Sequence, residues 1–267
     1  MLRDPSTEEE WRQVLTGGFE PLIKLRRVME RIPSEPRCKL CSAPFAGLGG
    51  RVLPLAGFGR WEGNPSLCGR CFKNFDQQGL GGAEIPVSLL FAYIRGSTGL
   101  AERLRPAEFT RLLERFYRLA SRAVLDHDGL VDKLVGDEIV AMFIPAIAGA
   151  DHAGRAIAAA QALLCAVGAP DAAPSGPIPV GAAVHTGDAY VGVVGQTREA
   201  WDFTALGDPV NTTARLASEA SAGELLVSIA AATAAGLDIA AVPRRTVDVR
   251  GRTESIDVIS LGRDSRA

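Results

Sequence analysis

Four of the five cysteines fall in two pairs, Cys38-x-x-Cys41 and Cys68-x-x-Cys71. Each pair presents two sulfurs on one turn, which suits tetrahedral thiolate coordination of a zinc ion. The loop between the pairs is longer than the commonest spacing. The same residues could form two structural disulfides, which need an oxidising compartment, and a thioredoxin-like redox pair would account for one knuckle but not for two. Cys165 stands apart in an alanine-rich helical stretch and reads as a small buried hydrophobe. Further along, Asp137 follows Gly136 between two apolar runs, so its carboxylate is expected at the tip of a hairpin. Asn211 and Arg215 are four residues apart and project from one face of a helix, where the guanidinium fork matches phosphoryl oxygens. Arg95-Gly96-Ser97-Thr98 leads a strand into a helix, and the free backbone N–H groups at such a start suit a phosphate chain.

The elements that must position these groups are readable from periodicity. Overlapping capping boxes from Ser6, Thr7, Glu9 and Glu10 predict a helix starting near Trp11, with a break or kink at Gly17-Gly18. Pro33 and Pro36 end that region, and a glycine- and proline-rich stretch holding the paired cysteines runs to about Phe75. Such a segment is too small for a core of its own, and a metal would replace it. Gln77 to Ala83 reads as a linker. From Ile85 strand and helix patterns alternate: an apolar strand over Val87–Ile94, a helix over Thr98–His127 and a hairpin of Leu130–Val135 and Glu138–Phe143. A helix over Asp151–Ala166 and strands near Ile178–His185 and Ala189–Val194 follow. A last helix should begin at Pro209, with Asp208 as its N-cap. Strand–helix–hairpin–helix–strand order predicts an α+β domain.

Bulk composition narrows the function classes. The 267 residues carry a formal net charge of −2, which gives no electrostatic reason to expect nucleic acid or an anionic membrane surface as partner. The acidic N-terminus lacks the apolar core of a signal peptide, and the alanine-rich run from 156 to 169 is too short to span a bilayer. The expected location is cytoplasmic.

Two separated stretches, Asp128-Gly129-Leu130-Val131-Asp132-Lys133-Leu134-Val135-Gly136-Asp137-Glu138 and Phe203-Thr204-Ala205-Leu206-Gly207-Asp208-Pro209-Val210-Asn211-Thr212-Thr213-Ala214-Arg215-Leu216, together resemble the signature segments of the class III nucleotidyl cyclases. A third, Val87 to Thr98, resembles the family's opening strand–loop–helix. The resemblance covers about residues 85–262 and implies a ferredoxin-like cyclase homology domain that makes cyclic AMP and pyrophosphate from ATP. It implies Mg2+ or Mn2+ held by Asp137, by the backbone carbonyl of Ile94, and by a carboxylate at position 93. This chain has Tyr93 there. A phenol supplies no such charge, and Glu138 and Asp132 are the neighbouring carboxylates that could substitute. Lys133 and Thr204 fall where the family reads the purine, a combination similar to its adenylyl cyclases that use threonine. Gly96, Ser97 and Thr98 fall at the phosphate loop, Asn211 at the ribose and Arg215 at the leaving phosphates. Arg198 could also reach the triphosphate, and His185 reads as structural.

The implied pocket lies between two head-to-tail copies, so the resemblance also implies a homodimer, or a heterodimer with another cyclase domain. The expected organisation is a helical segment over 1–36, a zinc-binding module and linker over 37–83, and a cyclase domain over 84–264. Because of Tyr93, a catalytically degenerate domain that binds nucleotide, or serves as a regulatory partner, stands beside the active enzyme as the alternative.

Overall fold

The computed structural model describes residues 8–61, 65–77, 81–169, 176–197, 200–240, 242–247 and 255–262. The chain forms two compact units: Met1–Ile85 with Ile144–Gly149 and Ala189–Leu206, and Pro86–Phe143 with Ala150–Asp188 and Gly207–Ala267.

In the first unit, α1 (Glu8–Thr16) and α2 (Glu20–Met29) are separate helices. They part at Gly17, whose φ of 84° lies in the left-handed region that a side chain disfavours. The expected capping residues Ser6 and Thr7 lie outside the described residues. Trp11, Val14 and Leu15 form the buried face of α1. The cysteine module follows, with α3 (Gly47–Val52), a single 3-10 turn at Leu53–Ala56 and α4 (Gly69–Gln77). Isolated bridges between Arg37 and Pro44, and between Arg60 and Cys68, close the two knuckles. Arg37 donates to the carbonyls of Met29, Ile32 and Ser42, tying the first knuckle to the end of α2.

The second unit holds the predicted alternation. β1 (Gly81–Ile94) begins inside the stretch read as a linker and ends in this unit. It is followed by α5 (Ser97–Arg103), α6 (Pro106–Asp126), β2 (Leu130–Val135) and β3 (Glu138–Phe143). A short α7 (Pro145–Ala148) belongs to the first unit; α8 (His152–Gly168) and β4 (Val180–Thr197) come next. The far part of β4 pairs antiparallel with β5 (Ala200–Leu206), again in the first unit. The second unit is completed by α9 (Asp208–Glu219), β6 (Glu224–Ser228), α10 (Ile229–Ala234), β7 (Arg244–Val247) and β8 (Ile256–Gly262).

The strand order is β2-β3-β1-β4-β6-β8-β7. Its first four members have the order of a βαββαβ ferredoxin-like sheet, as expected. Apolar positions of the helices and strands meet in one core. Phe116, Leu89, Leu90, Ile139, Met142, Phe143, Leu163 and Leu164 are fully buried there, and truncating Phe116 to Ala should cost about 3–5 kcal/mol. Ser88, buried in β1, bonds His152 Nδ1 at 2.9 Å and the Thr186 hydroxyl at 2.6 Å, so its polarity is satisfied inside the sheet.

Four local expectations are corrected. The helix expected over Thr98–His127 is two helices, because Pro106 opens α6 and Arg105 before it is extended (φ −65°, ψ 148°). The two strands expected near 178–194 are one continuous β4. The N-cap of α9 is Gly207 rather than Asp208, and no side chain caps that helix start. Cys165 is exposed, since the buried stripe of α8 runs through Ala156, Ile157, Ala160, Leu163, Leu164 and Val167 on another face.

Candidate functional site

Asp137 stands at the β2–β3 turn, as its Gly-Asp setting requires. Gly136 takes the left-handed φ of 58°, and pairing resumes at once with Val135 opposite Glu138. Two further groups hold the turn. The Ile94 amide donates to the Asp137 carbonyl at 3.0 Å, and the Tyr117 hydroxyl, from α6, donates to the Gly136 carbonyl. The hairpin tip is therefore tied to the end of β1, where Tyr93 lies directly opposite Glu138 in the antiparallel register. Directly opposed residues share a face of the sheet. Burial, then the neighbouring Glu138, pushes the Tyr93 phenol's pKa up. Burial also pushes the Glu138 carboxyl up, against the effect of the neighbouring phenol, and the charge of Asp137 adds to the rise.

Arg95 is not spent on the phosphate loop. Its guanidinium lies 5.8 Å from the centre of the Tyr93 ring and donates to the carbonyls of Ala217 and of Ser218 (3.0 Å) at the C-terminal end of α9. A cation at that end complements the helix dipole. Gly181 makes room for it, since a Cβ there would come within 2.7 Å of Arg95 Nε. Desolvation lowers the Arg95 pKa. On α9 itself Pro209, Thr212, Thr213, Leu216 and Ala217 face inward. Asn211 is thereby left exposed and Arg215 half-buried on the outer side. The Ser218 hydroxyl donates to the Arg215 carbonyl at 2.6 Å. Gly96, with φ 66°, precedes α5; Gly96 and Thr98 are exposed and Ser97 half-buried.

Strict alternation along β2 would put Lys133 on one face with Val131 and Val135, and the register departs from it. A bulge between Val131 and Lys133 shifts the alternation, putting Lys133 opposite Val140 and on the face of Leu130 and Val135. Its ammonium lies 3.6 Å from Asp132, whose side chain is almost wholly buried. Asp132 thus sits at the bulge, away from the β2–β3 turn. Thr204 belongs to the other unit, buried in β5 opposite Gly192. Arg198 lies outside the described residues. His185 bonds the Ser228 hydroxyl at 2.8 Å, and that hydroxyl caps α10, a structural role.

The four paired cysteines converge. All four sulfurs are buried and lie within 4.8 Å of one another, with Cys38–Cys71 at 3.9 Å and Cys41–Cys68 at 3.6 Å. A tetrahedron with metal–sulfur bonds of about 2.3 Å has edges of about 3.8 Å, so the cluster has the dimensions of a metal cage. Backbone amides of Cys68 and Cys71 point at Cys38 and Cys68 sulfurs at 3.3 and 3.4 Å, as donors to thiolates do. Hydrogen bonds from the Cys41, Cys68 and Cys71 side chains push the Cys38 pKa down, and the Cys38 thiolate in turn pushes Cys41 and Cys71 up.

With this geometry in view, the profile of the adenylate and guanylate cyclase catalytic domain matches residues 83–260. The chain belongs to the class III cyclase family. It is 35% identical over 201 residues to the uncharacterized protein Rv1318c of Mycobacterium tuberculosis, covering 73% of this chain and 35% of that one. It is also 30% identical over 181 residues to adenylate cyclase 1 of Rhizobium meliloti, covering 66% of this chain and 27% of that one. The cyclase chain therefore spans about a third of the length of the curated relatives it matches. Among solved structures it is similar to the adenylyl cyclase CyaB of P. aeruginosa (TM-score 0.61, 26% identity, 69% of this chain and 97% of that one) and to the guanylyl cyclase Cya2 (TM-score 0.60, 27% identity, 67% and 92%). Catalytic domains of this family bind nucleoside triphosphates, use divalent cations and typically dimerise. No helix among the described residues is long and apolar enough to cross a membrane.

Sequence reasoning missed the Arg95 clamp and the Tyr117 bond to the hairpin. Neither had a signal, since both depend on which helix end or turn the sheet brings near. Asp137 and Ile94, the positions that the resemblance gives to the cation, are joined by a backbone hydrogen bond, and position 93 offers a phenol rather than a carboxylate.

Proposed function

We propose that this chain is an adenylate cyclase, converting ATP to cyclic AMP and pyrophosphate in the cytosol at sites shared by two copies. The observation that carries this reading is the fixed hairpin tip bearing Asp137, tied to β1 through Ile94, in a chain of this family. Names of relatives on both sides of the purine choice leave ATP to the Lys133/Thr204 pair as readers of the base. Asn211 orients the ribose. Arg215, permanently charged, takes up the negative charge that develops as the 3′-oxygen attacks the α-phosphorus and the bond to the β-phosphate oxygen breaks. The backbone at Gly96, Ser97 and Thr98 cradles the triphosphate. Magnesium or manganese bound at Asp137 supplies Lewis acidity for the 3′-hydroxyl and charge neutralisation for the phosphates. In a reduced cytosol the four clustered cysteines hold one structural zinc ion.

A second reading is favoured by Tyr93. A chain without that carboxylate, but with Lys133, Thr204, Asn211 and Arg215, can complete the good site of another cyclase chain while turning over little itself. The discriminating experiment is cyclic nucleotide production by purified protein from ATP and GTP, each with Mg2+ and with Mn2+. Cyclic AMP from the protein alone supports the enzyme; product only after adding a second cyclase chain supports the partner role.

A further inference from the structure

Tyr93 removes a carboxylate from β1, and the residue directly across the strand pair is an acid. Tyr93 and Glu138 are in register, so both leave the same face of the sheet. Side chains so opposed have Cβ atoms about 4.5–5.5 Å apart, close enough for a glutamate to serve the ground of the residue opposite. Asp137 is the next residue in the chain, and its carbonyl takes the Ile94 amide at 3.0 Å. The end of β1 and both acids are thus fixed together. The guanidinium over the Tyr93 ring spends its two Nη groups on the Ala217 and Ser218 carbonyls. Asp132, the other nearby acid, is drawn away by the β2 bulge and by Lys133.

The geometry points to Glu138 as the replacement for the missing β1 carboxylate: Asp137 and Glu138 together bind the divalent cation of the nucleotide, with Glu138 on the face and at the register position of Tyr93. This rests on the cyclase reading and deepens it, by moving one metal-binding carboxylate from the first strand to the third.

The test is Mn2+ binding by the purified full-length chain, followed by electron paramagnetic resonance in the presence of α,β-methylene ATP, which cannot be cyclised. Binding of the analogue itself is measured separately by calorimetry. Glu138→Gln should weaken Mn2+ binding at least tenfold. The double variant Tyr93→Asp/Glu138→Gln should recover wild-type binding, which guards against a folding defect in the single variant. Unchanged Mn2+ binding in Glu138→Gln overturns the proposal, and so does a wild-type chain that takes up the analogue without Mn2+. Failure of the cyclase reading appears differently, as absence of analogue binding in every variant including Tyr93→Asp.

Discussion

At residue 93 the chain has a phenol where the family resemblance implies a carboxylate. The ring lies opposite Glu138 in the sheet, with the cation of Arg95 5.8 Å from its centre. Losing one preorganised electrostatic group commonly costs about 10²–10³ in rate. With Glu138 serving the cation, Tyr93→Asp alone should change ATP turnover little, and in the Glu138→Gln background it should raise turnover by roughly 10²-fold at saturating Mn2+, measured as initial rates of cyclic AMP formation. A gain of that size in the wild-type background would mean that Glu138 does not serve the cation. The positions of the candidate residues are legible in the sequence: turn chemistry puts Asp137 at a hairpin tip, helical spacing puts Asn211 and Arg215 on one face of α9, and the paired cysteines cluster, while the roles proposed for Asp137, Asn211 and Arg215 come from the family resemblance. Which acid faces position 93 is not legible there. The two-residue turn defines the pairing of β2 with β3, but the pairing of β1 with β3 joins segments more than forty residues apart, and no local signal sets it. The bulge at Asp132 is the same kind of case, since it moves Lys133 to the other face without any glycine to announce it.

Among the elements, α9 is held at its C-terminal end by a long-range clamp. Arg95 satisfies two carbonyls of its last turn, one turn beyond Arg215, and leaves Nε buried without a partner. Hydrogen bonds to a charged group contribute about 1.5–3 kcal/mol each when not exposed; here the site is half-open, and about 1–3 kcal/mol for the pair is the expected loss in Arg95→Ala. Hydrogen exchange of the last turn of α9 should speed up, and turnover should fall with KM little changed, because Arg215 acts on the developing charge. Gly181→Ala should act in the same direction, since its methyl would press on the guanidinium. Equal exchange rates in wild type and both variants would count against the clamp. The cysteine module makes a separate prediction. Elemental analysis should find one zinc per chain, and Cys68→Ser should lose it. Structural zinc supplies about 10–16 kcal/mol in small peptides, so the stacking of Trp61 on Phe72 should be lost with the metal, seen as a change in near-ultraviolet circular dichroism. Native dichroism in a zinc-free chain would show that the four sulfurs pack without an ion.

At the scale of the whole molecule the proposed function needs two copies. In the dimer that the family resemblance implies, Asp137 would serve one site and Asn211 and Arg215 the other, so each chain would bring two different halves. The family's motifs imply this, and a single chain does not display it. It also assigns a use to the conspicuous separation in sequence between metal ligand and phosphate ligand. In a two-fold dimer a chain lacking Asp137 and a chain lacking Arg215 spoil the same site when they meet, and leave the other site whole. The most direct test is complementation in the Tyr93→Asp background, using Asp137→Asn and Arg215→Ala chains purified apart and then mixed under conditions that exchange subunits. Each alone should make almost no cyclic AMP, and the equimolar mixture should recover about a quarter of the parent rate, since half the dimers are mixed and each holds one intact site of two. A mixture as inactive as its components, beside a parent that turns over ATP, would contradict a shared site; a parent inactive on both ATP and GTP would contradict the cyclase itself.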